Sequence, residues 1–219
     1  MKATTQLSVT LFIFLVAIPF TLQAATRSIH PYKHWERTTT ETVWEGMYAN
    51  CDYGYYVALP DHLVAHSPQS PAPSHGFAID LEHPAGKSPL PDHMDRYIKM
   101  WNQYNAEELP SLSAIVRDEL KRLRGSRNRF TLIDRSYVRL GSLPAMELKF
   151  SYIADGHLRA ETRIIAYRPP GRTGLGDIIY ELSLVTVPSK YRSDSLALRK
   201  TVSGFHLTPL RLRGCANSE

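Results

Sequence analysis

Apolar and polar positions alternate most clearly between residues 145 and 152 (AMELKFSY). A period of two residues predicts a β-strand with one buried face. The segment 154–156 (ADG) then predicts a hairpin turn into a second strand. A three-residue loop places Phe150 opposite Ala160, whereas a two-residue loop places Phe150 opposite Glu161. Because the first register pairs apolar with apolar residues, we predict the three-residue loop.

Helical spacing of apolar residues predicts three helices, at 93–109, at 112–124 and around 193–203. The second is the best defined. Its apolar residues share one face and comprise Leu112, Ile115, Val116, Leu120 and Leu123. Ser111 is its predicted N-cap, and Gly125 is predicted to end it.

Short strands are predicted on either side of this helical region. Residues 47–51 and 53–59 are rich in aromatic and β-branched residues, and so is the later strand 177–187. Between 60 and 91, frequent prolines predict a long loop around a single strand at 76–81. The order of strands, helices, three antiparallel strands and a helix predicts an α+β fold, with an antiparallel β-sheet flanked by helices.

The N-terminal residues have the features of a secretory signal peptide. Lys2 precedes the apolar run 9–20 (VTLFIFLVAIPF), and small residues follow at 24–25. An uncleaved signal anchor is the alternative, although the apolar run is short for a membrane span. We therefore predict a secreted or periplasmic protein with no membrane span after cleavage. Its segments are a signal peptide at 1–24, a polar arm at 25–45, a single α+β domain at 46–208 and a tail at 209–219.

Cys51 and Cys215 are the two cysteines of the chain. In an oxidising compartment a lone pair of cysteines favours a disulfide, so we predict a bridge between them. Thiol redox chemistry is the weaker interpretation, because the Cys-x-x-Cys motif is absent.

Composition agrees with a folded globular protein. Hydrophobic residues make up 43% of the chain and charged residues 21%, and the formal net charge is +5. The positive charge is spread along the chain, which does not favour nucleic-acid binding. A denser basic cluster (Lys121, Arg122, Arg124, Arg127, Arg129) is interpreted as a solvated helix end.

Histidines and carboxylates between residues 62 and 95 are the one candidate metal constellation. They comprise His62, His66, His75, His83, His93, Asp80, Glu82, Asp92 and Asp95. Imidazole and carboxylate groups suit zinc or copper. However, His62 and His66 lie on one face only if their segment is helical, and this segment is predicted to be extended. Surface histidines in a loop are the preferred interpretation.

Tyrosines are concentrated at Tyr48, Tyr53, Tyr55 and Tyr56. They suit either a recognition surface or a strand with one buried face. The alternation of their side chains favours packing in the core.

Across about residues 53–207 the order of elements resembles the PsbP-like fold. The segments that carry this resemblance are 55–60 (YYVALP), 138–145 (VRLGSLPA), 180–184 (YELSL) and 203–205 (SGF). The resemblance implies a PsbP-like sandwich, in a family that contains mostly binding or assembly-support modules rather than enzymes. It assigns no functional residue.

The sequence contains none of the common hydrolase, zinc-protease or dinucleotide-binding motifs. We therefore assign no catalytic, cofactor-binding or metal-binding residue, and expect a non-catalytic protein that binds another envelope or extracellular protein. A secreted hydrolase with a site built from scattered residues, and a metal-binding envelope protein, remain as alternatives. A deep pocket with a pKa-shifted acid would favour the hydrolase, and converging histidines would favour the metal-binding protein.

Overall fold

The computed structural model describes residues 34–38, 41–68, 75–83, 95–171 and 176–208, which all lie in one compact unit spanning residues 31–219. Within them the strands are β1 (His34–Thr38), β2 (Glu41–Glu45), β3 (Met47–Asn50), β4 (Tyr55–Ala58), β5 (Val64–Pro68), β6 (Gly76–Asp80), β7 (Tyr97–Tyr104), β8 (Asn128–Leu140), β9 (Leu143–Ala154), β10 (His157–Arg168), β11 (Ile178–Thr186) and β12 (Phe205–Leu207). The helices are α1 (Leu112–Ser126) and α2 (Tyr191–Ser203), with a short 3-10 helix (Pro188–Lys190) before α2. Neither α1 nor α2 is both long and apolar enough to cross a membrane.

The strands form two antiparallel sheets. The larger sheet has nine strands in the order β1-β2-β5-β6-β7-β11-β10-β9-β8, and the smaller has the order β12-β4-β3. One face of the larger sheet packs against α1, through side chains of β9, β10 and β11. The other face packs against the small sheet and α2. The predicted α+β class, with an antiparallel sheet flanked by helices, is confirmed.

Helix α1 follows the sequence prediction closely. Ser111 has extended backbone angles, and its Oγ accepts a hydrogen bond from the backbone N–H of Ala114 at 3.3 Å. The predicted apolar stripe is buried at Ile115, Val116, Leu120 and Leu123. The helix continues two residues beyond Arg124, to Ser126, so the prediction that Gly125 ends it is wrong. The predicted strand at 177–187 and final helix are also confirmed, as β11 and α2.

The β9–β10 hairpin exists, but its predicted register is wrong. Ala154 pairs with His157, so the turn contains only Asp155 and Gly156. Both turn residues have positive φ, +51° and +78°, as the tight turn that favours Asp-Gly requires. Phe150 therefore lies opposite Glu161. A charged side chain is tolerated on this covered face because an arginine of the same strand neutralises it, as described below.

Residues 97–104 form strand β7, so the predicted helix at 93–109 is wrong. Ile98, Met100 and Asn102 are fully buried, whereas the intervening residues are exposed. The polar Asn102 disguised this alternation in the sequence. Its Nδ2 donates hydrogen bonds to Tyr55 Oη and to the His75 carbonyl, each at 2.7 Å, which satisfies the buried NH2 group.

The N-terminal third contains more strand than expected. The region predicted as a polar arm, 25–45, includes β1 and β2, which join the large sheet. The proline-rich region includes β5 as well as the predicted β6. Strands β1, β2 and β5 lie at the end of the large sheet opposite to β8. The signal peptide, the tail at 209–219 and Cys215 lie outside the described residues, so export and the disulfide to Cys51 stay predictions.

Candidate functional site

Helix α1 lies across the middle of a row of side chains that spans the large sheet. Cross-strand pairing places Trp101, Glu181, Ile165, Met146 and Tyr137 side by side. The helix packs on the two central apolar members of this row. Aromatic side chains therefore border α1 on both sides, and each side forms a groove.

The groove beside β7 and β11 is the candidate site, which we call the α1 cleft. It has a volume of about 400 Å³ and is lined by Tyr104, Glu107, Asp118 and Glu181, among others. The Tyr104 side chain is 56% exposed and forms an aromatic wall. Its ring lies 5.5 Å from that of Tyr53, which anchors it to the core.

A network of buried charges forms the inner boundary of the cleft. Arg163, on β10 beneath α1, donates through Nε to Glu161 Oε1 at 2.9 Å. Its Nη1 also contacts Glu119 Oε1 from α1, and lies 3.3 Å from Glu181 Oε2 on β11. One guanidinium thus links three carboxylates from three elements.

Two further arginines complete the charge balance of this network. Arg122 bonds both oxygens of Glu119, at 2.7 and 2.6 Å. Arg127 Nη2 lies 3.9 Å from Glu161 Oε2. Three arginines therefore face three glutamates, which compensates the desolvation of these groups.

Glu181, like Glu119, belongs both to the network and to the lining of the cleft. Burial raises the pKa of Glu181 above its ordinary value, and Glu119 and Glu161 add to this rise against the opposing effect of Arg163. A carboxyl group with a raised pKa at the wall of a cleft is a candidate proton donor. It is the one feature here that points toward acid catalysis.

The raised pKa of Glu181 predicts a pH-dependent stability. Folding favours the protonated form, so this contribution is fully present below the unfolded pKa, about 4.3, and is lost as pH rises through the folded value. Because glutamine does not ionise, the Glu181→Gln variant does not lose this contribution to stability as the pH rises. We expect the free energy of unfolding of Glu181→Gln, minus that of the native protein, to increase from pH 4 to pH 7. Urea unfolding at each pH measures it, with the exposed Glu108→Gln as control. A difference that decreases with pH would contradict the assignment.

The α1 cleft is acidic. Of its carboxylates, Glu119 is bound by arginines and Glu181 by Arg163. Glu107 and Asp118 make no ion pair with any described residue. Two carboxylates beside an exposed tyrosine ring favour a cationic ligand group, which ion pairing and cation–π attraction would hold.

As a whole, the histidine constellation does not converge in the described part of the chain. His62 is exposed in a turn, His66 is buried on β5, and His75 contacts Tyr53 Oη at 2.9 Å. Asp95 forms an ion pair with Arg159. Asp92 and His93 lie outside the described residues.

Asp80, Glu82 and His83 are the members of the constellation that the structure brings together. Asp80 Oδ1 accepts the backbone N–H groups of Glu82, at 2.7 Å, and His83, at 3.1 Å. Burial of Asp80 opposes ionisation, but these bonds and the His83 ring together lower its pKa. The contacts are those of a turn that caps the end of β6.

The tyrosines divide into buried and half-buried side chains, as their alternation predicted. Tyr48, Tyr53 and Tyr55 are almost fully buried in the core between the two sheets, whereas Tyr56 is half-buried and stacks on His206. Core packing is confirmed for the first three. The basic cluster is more than a solvated helix end, because two of its members, Arg122 and Arg127, reach the buried glutamates.

Sequence reasoning missed the charge network and hence the cleft. A signal for it was present. Glu119 falls within the apolar stripe of α1, and a charge on a buried stripe indicates a buried partner. The partner, Arg163, could not be identified from the sequence because the wrong hairpin register placed it on the other face.

The sequence matches no protein-family model, and no curated protein matches it. Several solved structures have a similar fold. LpqN of Mycobacterium tuberculosis, which is involved in cell envelope biogenesis, is 18% identical over 82% of this chain and 88% of its own, with a TM-score of 0.48. Cyanobacterial PsbP (CyanoP) of Synechocystis sp. is 11% identical over 78% and 94%, with a TM-score of 0.44. The Ran-binding protein Mog1p of Saccharomyces cerevisiae is 9% identical over 74% and 94%, with a TM-score of 0.46. These are similarities of structure at low sequence identity, and they identify no ligand.

Proposed function

We propose that this chain is an exported, non-catalytic binding protein of the cell envelope or extracellular space. Its α1 cleft holds a cationic side chain of a partner protein. The observation that carries this proposal is the pair Glu107 and Asp118, two carboxylates without an ion-pair partner among the described residues, beside the exposed ring of Tyr104.

The cleft is suited to a side chain rather than to a large ligand. Its volume, about 400 Å³, is near the lower end of the range for small-molecule sites. Ile179 and Leu109 add an apolar lining, which can cover the methylene groups of an arginine or lysine. The carboxylates then meet its charged end. Export is supported by the signal-peptide features of the N-terminal residues.

Binding of blocked tripeptides tests this proposal. We expect Ala-Arg-Ala to bind the protein and to shift amide resonances of Tyr104, Glu107 and Asp118 in NMR spectra, whereas Ala-Gln-Ala does not. The double variant Glu107→Gln/Asp118→Asn removes two charges, so it should weaken binding by about threefold to tenfold. Salt should weaken binding by the native protein, since the carboxylates are accessible to solvent.

Glu108→Gln is the matched control, because Glu108 is exposed and does not line the cleft. Equal binding of both tripeptides, or equal affinity in the double variant and the control, would contradict the proposal.

The raised pKa of Glu181 favours a hydrolase as the second candidate function. If the protein cleaves the arginine tripeptide and Glu181→Gln abolishes this cleavage, the function of the cleft is hydrolysis rather than binding.

A further inference from the structure

The second groove beside α1 lies between this helix and the edge strand β8. It has a volume of about 410 Å³. Its floor is apolar and consists of Val116, Leu120 and Met146. We call it the basic groove, because the charged side chains that line it are all arginines: Arg117, Arg124 and Arg135.

These three guanidinium groups form no ion pair with a described residue, and no described carboxylate lines the groove. Like charges gathered on one concavity repel each other, so an anionic ligand gains from all three. The opposite flank of α1 is acidic. One helix therefore separates two grooves of opposite charge.

Strand β8 offers a second, independent feature. It is the terminal strand of the large sheet and has β9 as its single neighbour in the described structure. Residues 134–140 pair with β9 without interruption, after a bulge near Ile133. Their outer edge therefore presents regularly spaced backbone N–H and C=O groups. The Tyr137 side chain is 77% exposed beside this edge.

We propose that an extended acidic segment of a partner protein binds to β8 as an additional strand and places carboxylates over the basic groove. Backbone hydrogen bonds along β8 would supply affinity, and the alternate side chains would supply specificity. This surface is separate from the α1 cleft, so its test uses different variants.

The side chains of β8 specify the spacing in the partner. Arg135 and Tyr137 are two residues apart and both line the groove. An added strand thus places an acidic residue opposite Arg135 and an apolar residue opposite Tyr137, two positions apart in its own sequence. Arg117 and Arg124, across the groove on α1, attract further carboxylates at the same face.

Two isomeric peptides with blocked ends test this spacing. Thr-Glu-Thr-Ile-Thr-Glu-Thr keeps both glutamates on the face of the isoleucine, in either strand direction. Thr-Thr-Glu-Ile-Glu-Thr-Thr has the same composition and charge but projects the glutamates from the opposite face. We expect the first peptide to bind at least about threefold more tightly than the second, measured by NMR titration of β8 amides.

Arg135→Gln should weaken binding of the first peptide by about threefold or more, whereas Arg199→Gln, on the exposed side of α2, should not. Tyr137→Ser gives a second variant at an exposed position. Far-ultraviolet circular dichroism checks that each variant is folded.

Equal binding of the two peptides would overturn the proposal, because charge alone would then explain the attraction. Binding to phosphatidylglycerol vesicles without binding to either peptide would place a membrane surface in the groove instead. A concentration-dependent dimer that Arg135→Gln dissociates would identify the occupant as a second copy of this chain. The vesicle result and the dimer result would each also overturn the proposal of an acidic partner strand.

Discussion

Replacing Arg163 by methionine is expected to lower the free energy of unfolding by about 3–5 kcal/mol, because it leaves buried carboxylates without their shared cation. Arg163 contacts Glu119, Glu161 and Glu181 from three different elements. Methionine keeps most of the apolar volume of the arginine side chain. The loss therefore reports the uncompensated charge rather than a cavity.

Urea unfolding at pH 7 measures this loss. Arg199→Met, on the exposed side of α2, is the control and should change stability by less than about 0.5 kcal/mol. Part of the loss in Arg163→Met should be recovered at low pH, where the glutamates become protonated and no longer need a cation. Equal stabilities of the two variants at pH 7 would contradict the central role of Arg163.

Phe150→Ala is expected to cost about 3–5 kcal/mol, the range for removing a fully buried phenylalanine ring. Phe150 is 0% exposed, and its ring centroid lies 5.2 Å from that of Phe130 and 6.1 Å from that of Tyr152. Arg163 lies over the same ring at 5.9 Å. Removal of the Phe150 ring would open a cavity beneath α1 and loosen the Arg163 side chain.

Chemical denaturation followed by tyrosine and tryptophan fluorescence measures this effect. Ile133→Ala, at a side chain that is 65% exposed, should change stability by less than about 0.5 kcal/mol. A similar, small change in both variants would mean that Phe150 does not belong to the core under α1. Because Phe150 and Arg163 are in contact, their effects should not be additive.

Local patterns were sufficient for several elements of this fold. Helix α1 was predicted by its apolar stripe and Ser111, since both signals act within a few residues of each other. The β9–β10 hairpin was predicted by its alternation and by the turn residues at 154–156, although with a loop one residue too long. The PsbP-like resemblance drew on the same order of elements. These features depend on local spacing, which is readable without knowledge of the tertiary contacts.

Elements whose pattern depends on buried polar partners were predicted incorrectly. Strand β7 was mistaken for a helix because Asn102 occupies a core position, where Tyr55 and His75 accept hydrogen bonds from its NH2 group. The hairpin register was shifted because Glu161 was treated as a solvent-facing residue. The partners of Asn102 are distant in the sequence, whereas Arg163 is only two residues from Glu161, but both sites are buried only once other segments cover the sheet.

The sequence by itself determined the α+β class, helix α1, the hairpin strands and the signal-peptide features, because each follows from spacing within one short segment. Only the tertiary structure decided which face of the hairpin lies under α1, where Arg163 meets its three glutamates, and how one helix divides an acidic cleft from a basic groove. A polar side chain in a sequence does not indicate whether it will face water or a buried partner. That choice depends on free energies of desolvation and pairing between segments distant in the chain, which exist only once these segments have come together.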